Sequence, residues 1–477
     1  MVGIKTQIYF TSLQIYSNNQ PTARLNTYIF ITNIFILTTC NEYFLCFYIF
    51  VLKINSYKIM QEYENININD YDYELPKEFI AQYPLEQRDK SRLLIYRNKN
   101  IKEDIFKNID KYIPENSYLI FNDTKVIKSR LFFLKPTGAQ IEIFCLEPEK
   151  GMAFFNEAIS STAKTTWKCL VGKSGKWKRN ILERTIVKNN TNYKLIAKVI
   201  DKAPQYFTIE FSWFPKETKF SEILKLFGET PLPPYIKRKA IEQDELTYQT
   251  IYAQKNGSVA APTSGFHFTE EVFTRLRKKD INFLYITLHI GIGTFKPVKS
   301  ESIINHKMHS EFVCFEKDII EKLYTNIGKY DIDKKKIISV GTTSTRALET
   351  LYYLGKQIYD NRELRSSDYL LSFNISQWMP YKVEQNISIE KSLEVILEVM
   401  QKDSINKISG ETEIIIIPGF QYKFIDGLIT NFHLPKSTLL LLVSAFIGDK
   451  WREIYKYALD NKFRFLSYGD ACLFFRN

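Results

Sequence analysis

The sequence predicts an α/β protein in which a large mixed α/β domain is interrupted by a small β-rich one. Three observations carry this. Short apolar runs, LLIY (93–96), YLIF (118–121) and FLYITL (283–288), end in polar loops, as fully buried strands do. After Leu246 the pattern becomes strand, loop, helix. Between residues 128 and 227, by contrast, the chain is strand-rich, with Gly and Lys-Asn turns.

The first 59 residues stand apart. Tyr28 to Leu52 is strongly apolar, and a run of about 20 such residues spans a bilayer. Asn33, Thr38, Thr39, Asn41 and Glu42 interrupt it, and a central Asn-Glu pair is costly in lipid. No basic region or small-residue cleavage site frames it as a signal peptide. Met60 then opens a polar stretch that reads as an ordinary protein start. Residues 1–59 are expected to lie outside the functional domain, with a membrane anchor as the competing reading.

The large domain is then expected over 60–127 and 228–477, with 128–227 inserted. LLIY and YLIF are its first strands. AQIEIFCL alternates as a half-buried strand does, and WKCLVG, KLIAKVI and YFTIEF complete the insert. PLPPY (231–235) is a stiff hinge after it. TEEVFTRLRKK (269–279) has Thr as N-cap, two Glu in the first turn and an apolar stripe at helical spacing. IISVGTTSTRALETLYYL (337–354) reads as strand, hydroxyl-rich loop and helix. Residues 366–401 look like an insertion ending in a helix, and EIIIIPGF (413–420) like a buried strand. TNFHLPKSTLLLLVSAF (430–446) leads into a core helix too short for a membrane span. SYGDACLF (467–474) is a turn before a final strand.

The chain has 477 residues, 45% hydrophobic and 25% charged, which allows a sizeable core and two or three domains. Net charge is +12, and only Lys5, Arg24, Lys53 and Lys58 against Glu42 lie in the first 59 residues. The basic surplus therefore belongs to the main body and favours a polyanionic partner. The six cysteines (40, 46, 145, 169, 314 and 472) show no CxxC spacing, so buried thiols fit better than disulfides or structural zinc.

Several loops hold residues suited to chemistry. All five histidines (267, 289, 306, 309 and 433) sit at loop-like strand or helix ends, where sites are built. A single such His is more often structural. APTSGFHFTEE (261–271) sets Thr263, Gly265 and His267 before a helix N-terminus, a place for a carboxylate or phosphate, or simply a capped turn. LHIGIGTF (288–295) puts Gly291, Gly293 and Thr294 after His289, so the backbone can approach a ligand closely. It is not a dinucleotide fingerprint. In HKMHSE (306–311) two histidines lack an obvious third metal ligand, and Lys307 between them favours an anion; Glu311 closes the motif. VGTTSTRALE (340–349) offers Thr342, Thr343, Ser344 and Arg346 to a carboxylate or ribose phosphate, or to an ordinary cap. FNDTKVIKSRL (121–131) carries Asn122, Asp123, Thr124 and Arg130 in a basic loop.

These blocks, together with DYELPKEFIAQYPLEQRDKSRLLIY, PLPPYI, YQTIYAQKNGSVAAPTSGFHFTEE, PGFQYKFIDGLITNFHLPKST and YGDA, occur in one order over residues 69–476. Each alone is weak, but the ordered set resembles the S-adenosylmethionine:tRNA ribosyltransferase-isomerase family of queuosine biosynthesis. The resemblance implies a cytoplasmic, metal-free enzyme, without a stable protein partner, whose large α/β domain carries a small inserted β-barrel. It implies transfer of the ribosyl part of S-adenosylmethionine to 7-aminomethyl-7-deazaguanine at the tRNA wobble position. Rearrangement gives epoxyqueuosine-tRNA, with adenine and methionine released. Similar proteins begin near Met60.

On that resemblance, a base is needed next to the sulfonium, with His267, His289, His309 and His433 as candidates. An acid for leaving adenine is expected among Asp123, Glu311 and Asp470. Thr263, Gly265, Gly291, Gly293, Thr294, Thr342, Thr343, Ser344 and Arg346 are expected around S-adenosylmethionine, with Thr342, Thr343 and Ser344 as donors to its methionine carboxylate and Lys307, Arg346 and Lys436 suited to carboxylate or tRNA phosphate. Asn122, Thr124, Arg130, Tyr235, Lys307, Asn431, Lys436, Ser437 and Tyr468 are expected to meet the tRNA. A methyltransferase, the other common user of this co-substrate, would want a Gly-rich loop after its first strand, which LLIYRNKN lacks. A membrane-anchored binding protein would rest on residues 28–52 alone.

Overall fold

Ten strands form one sheet among the described residues, and its centre is parallel. A computed structural model describes residues 63, 66–177, 181–291, 293, 298, 300–328, 334–382 and 385–476. The expectations for residues 1–59 and for Thr294 lie outside them. Met60–Asn477 forms a compact unit of its own.

The four central strands are Asn282–His289, Ser117–Asn122, Lys336–Val340 and Gly427–Asn431. The apolar runs of the last three are buried on both faces, as parallel strands covered by helices must be, while Asn282–His289 is part-buried along its first half. Since they run the same way, His289, Asn122, Val340 and Asn431 line up along one edge. The chain leaves Ser117–Asn122 for its neighbour on one side, Asn282–His289, and later returns on the other, Lys336–Val340. Crevices for ligands form at such reversals. Ala471–Phe475 then inserts between Gly427–Asn431 and Arg92–Arg97, antiparallel to the first and parallel to the second.

Two helices at this edge start as the sequence predicts, whereas the expected hydroxyl-rich loop at 341–344 shrinks to Gly341 and its hydroxyls form the first helical turn. Thr269 caps Glu270–Arg277, its hydroxyl accepting from Val272 N at 3.4 Å. Ser437 caps Thr438–Ile447 through Leu440 N at 3.2 Å. Thr342–Asp360 follows Gly341, whose φ of +93° suits glycine alone at that turn.

EIIIIPGF departs from its expected strand. The ladder there is carried by Lys407–Thr412, while Ile414, Ile415, Ile416 and Ile417 are buried without one. Side chains take over its backbone bonding. Arg346 Nε donates to Ile414 O at 3.1 Å, and the Tyr381 hydroxyl donates to Ile415 O at 3.1 Å and accepts from Ile417 N at 3.0 Å. Burial and β-branching were right; the pairing partner was missing.

The strand-rich insert forms a seven-stranded antiparallel sheet with its own core, including Trp167, Phe211 and Phe220. The sheet curls. Arg184 on edge strand Ile181–Lys188 donates to Phe132 O at 3.2 Å and Phe227 O at 3.0 Å, reaching back towards Arg130–Leu134. Gly228–Glu229 still pairs with Leu131 and Arg130, so the sheet runs two residues past the expected boundary. Thr124–Val126 and Lys255–Ser258, which lead in and out, pair with each other in parallel. Leu232 and Ile236 of the proline-rich hinge pack with Val126, Tyr248, Phe266 and Tyr468. No helix among the described residues is long and apolar enough to cross a membrane.

Candidate active site

A cleft opens over the C-terminal ends of the central strands. Its walls come from separate segments: Tyr235, Ala261–Ser264, Gly341–Thr343, Asn431–Leu434 with Ser437 and Leu439, and Leu466–Ser467. The first turn of the helix Thr342–Asp360 faces it, and the N–H groups of a first turn have no intrahelical acceptor. Among the described residues no Asp, Glu, Lys or Arg lines the cleft. A polar ligand there meets hydroxyls and amides in a setting of low dielectric. Leu439 also lines a second pocket, with Gly293, His306, His309, Glu311, Arg346 and Thr438.

Beneath the first cleft, Asn431 organises the floor. Its amide Nδ2 donates to Leu466 O at 3.1 Å and lies 3.2 Å from His267 Nε2; Thr263 Oγ1 donates to its Oδ1 at 3.4 Å. His267 Nδ1 then lies 2.7 Å from Ser91 Oγ. With Nε2 accepting from the amide, Nδ1 carries the proton in this assignment. Burial pushes His267 down to about 3, helped by the positive charges of Arg464 and Arg88. Burial also pushes His433 down to about 3, its Nε2 lying 2.9 Å from Thr430 Oγ1.

His289 sits further along the same edge. Its Nδ1 lies 2.8 Å from Thr124 Oγ1, and its ring stacks between Phe155 and Phe312. Burial and then the Lys407 charge push it down to about 4. These three imidazoles are neutral at pH 7 and weakly basic, so their geometry suits hydrogen bonding and positioning. His309 differs: it is exposed on the wall of the second pocket. Its ring covers Gly293, where an added Cβ would fall 1.8 Å from His309 Cδ2.

The acidic candidates separate. Asp123 accepts from Thr287 Oγ1 at 2.7 Å, and burial raises its pKa above the usual carboxylate value. Burial likewise raises Asp470, but its oxygens accept from Arg92 N at 2.9 Å and Arg464 N at 2.7 Å, pinning a turn to a strand. Glu311 forms a buried ion pair with Arg346. Neither Asp123 nor Asp470 lines the cleft.

Other expected residues are spread. Thr263, Thr342, Thr343, Tyr235, Asn431, His433 and Ser437 meet in the first cleft; Gly293, His309, Glu311 and Arg346 meet in the second. Ser344 turns its hydroxyl back to Val340 O at 2.7 Å. The space over Gly265 belongs to the Tyr252 hydroxyl, 1.9 Å from where a Cβ would lie, whereas Gly291 has open space around it. Asn122 bonds the backbone of Leu288 at 2.9 and 3.0 Å. Arg130 pairs with Glu142 at 3.0 Å, Lys436 with Asp72 at 2.8 Å, and Tyr468 donates to Asp244 at 3.4 Å. Lys307 is exposed. Sequence reasoning passed over Ser264, Ser467 and Leu439 in the cleft and Ser91 beneath it. All four lie inside blocks already quoted, but none is marked there by its own spacing or residue type.

Residues 68–474 match the queuosine biosynthesis protein family. The chain belongs to that family. A Halothermothrix orenii protein named S-adenosylmethionine:tRNA ribosyltransferase-isomerase is 38% identical over 415 residues, covering 86% of this chain and 99% of its own length. One of the same name from Caldanaerobacter subterraneus subsp. tengcongensis is 39% identical over 409 residues, 85% of this chain and 98% of its own. The solved S-adenosylmethionine tRNA ribosyltransferase of Thermotoga maritima is 27% identical, with 85% of this chain and 99% of that chain covered and a TM-score of 0.39. Queuosine biosynthesis proteins of this name are transferases and isomerases, so the chain is a member of an enzyme family. Among the described residues no group of three His, Cys, Asp or Glu gathers as a metal site.

Proposed function

We propose that the chain transfers and isomerises the ribosyl moiety of S-adenosylmethionine onto 7-aminomethyl-7-deazaguanine at the tRNA wobble position. The products are epoxyqueuosine-tRNA, adenine and methionine. The observation that carries this is the uncharged cleft at the strand ends, where motif residues from separate segments converge on a helix N-terminus. Family membership and the relatives' names support the reaction class. Thr263, Ser264, Thr342 and Thr343 supply hydroxyl and amide donors to the ribose. His267, Asn431 and His433 hold the floor in place as neutral hydrogen-bonding groups. His309, solvated at the mouth of the second pocket, is the histidine best placed to take a proton from the carbon beside the sulfonium. Asp123, whose pKa burial raises, is the candidate proton donor to departing adenine, although it lies outside the cleft lining.

The tRNA would meet the basic main body, acting in the cytoplasm as a monomer. The seven-stranded sheet, with its separate core and curled edge, would be the small inserted barrel domain. The test is incubation of the protein with S-adenosylmethionine and an anticodon stem-loop carrying 7-aminomethyl-7-deazaguanine. Mass spectrometry should show the ribosyl adduct and free adenine together. A methyl-sized gain would move the protein to the methyltransferases, and no product would leave a binding role.

A further inference from the structure

The second pocket holds a guanidinium that its own fold leaves incompletely bonded. Arg346 is 4% exposed and reaches from the helix Thr342–Asp360. Its Nη1 pairs with Glu311 and its Nε donates to Ile414 O at 3.1 Å. Its Nη2 is buried and has no hydrogen-bond partner among the described residues. A buried N–H of a charged group without an acceptor is costly, and such atoms in a well-packed site await one. The same pocket is lined by Thr438, the first residue of the ten-residue helix Thr438–Ile447, whose positive end faces it. His306 and His309 add further donors. Among the described residues only Glu311 on this wall is acidic, and Arg346 pairs with it.

We propose that this pocket is the seat of an amino-acid carboxylate, with Arg346 Nη2 and the Thr438 helix N-terminus as its donors. Resting on the reading above, the carboxylate is that of the methionyl part of S-adenosylmethionine. Leu439, shared by the two pockets, lies where the methionyl chain would pass. The ribosyl group is then left in the first cleft under Thr342 and Thr343. Glu311 is a positioning residue: it fixes the guanidinium and restrains its charge, so that carboxylate binds firmly yet methionine can leave.

The experiment compares S-adenosylmethionine with its decarboxylated analogue by calorimetry on the full chain. The unmodified protein should prefer the carboxylated form by roughly tenfold or more, the scale of a hydrogen bond to a charged group. Arg346→Gln should abolish that preference while leaving affinity for the decarboxylated analogue within about twofold. Glu311→Gln should raise it, because the carboxylate becomes the only counterion. Opposite signs in the two variants separate the inference from simple loss of folding, and the Glu311→Gln/Arg346→Gln pair, uncharged, serves if the single Arg346 variant unfolds. Equal weakening of both ligands, an unchanged preference, or both variants moving the same way would overturn it. Failure of the unmodified protein to bind either ligand would overturn the ribosyltransferase reading itself; binding without discrimination would overturn only the carboxylate seat.

Discussion

Asn122 ends the central strand and, though fully buried, bonds backbone on three sides. Its Nδ2 donates to Leu288 O at 2.9 Å; its Oδ1 accepts from Leu288 N at 3.0 Å and Thr124 N at 3.1 Å. The parallel ladder between these strands stops at Ile286 opposite Asn122, so the side chain carries the pairing one step further. Replacing Asn122 by Leu keeps the branched shape with somewhat greater bulk and strands three buried backbone groups. At about 1–3 kcal/mol for each unsatisfied group, less what the apolar side chain regains, the loss should be roughly 3–6 kcal/mol. That is a large part of the roughly 5–15 kcal/mol that holds a typical domain together. Urea unfolding followed by circular dichroism should show a much lower midpoint at unchanged slope. Asn122→Asp, which keeps the acceptor and loses the donor, should fall between. A loss under about 1 kcal/mol for the Leu variant would refute the pinning role.

Three further outcomes follow from the geometry. His267, His289 and His433 are held neutral with values near 3, 4 and 3, while the unfolded chain protonates near 6.5. Stability from this source is therefore full above about pH 6.5 and falls on acidification, by up to about 1.4 kcal/mol per pH unit per histidine. Imidazole nitrogen spectra at about pH 5.5 should show these three rings uncharged in the folded protein, and protonated signals from them would contradict the burial argument. Gly293→Ala drives a Cβ into the His309 ring, so kcat/KM should drop by roughly a hundredfold while thermal stability holds; an active variant would free His309 of any part in the chemistry. Asp244→Asn breaks a bidentate pair with Arg238, at 2.6 and 2.7 Å, and should cost about 3–5 kcal/mol in urea unfolding. Because the Asp244 carboxyl is held below its usual range, against burial, by Arg238 and the Ile241 N–H, the ionised pair stabilises at neutral pH. That contribution is lost as pH falls through the carboxyl's depressed value.

Strand interiors and caps were legible in the sequence because they depend on neighbours in the chain. The runs around Leu94, Ile120 and Ile338 needed only apolarity and flanking turns, and Thr269 and Ser437 announce their helices by local hydrogen bonding. The loops that form the cleft were legible for the same reason, as polar residues at strand ends. Roles within those loops were not. Five histidines in similar settings look alike until the fold encloses His267, His289 and His433 and places His309 on an exposed pocket wall. Gly265 and Gly293 suggested ligand approach, yet the close neighbours are Tyr252 and His309, residues distant in sequence. Ile414–Ile417 had every mark of a strand except a neighbour to pair with, and only the fold decides that.

The place of Ala471–Phe475 has a consequence for biosynthesis. Among the described residues this strand follows every other of the sheet in sequence, yet lies inside it, joining Gly427–Asn431 to the Arg92–Arg97 hairpin. On the ribosome the hairpin emerges early and waits for a partner hundreds of residues away, whereas the insert's largely neighbour-to-neighbour strands can close at once. The large sheet is thus sealed only when translation has passed the last strand. A chain cut short before Ala471 exposes two apolar edges side by side, a state open to aggregation and proteolysis.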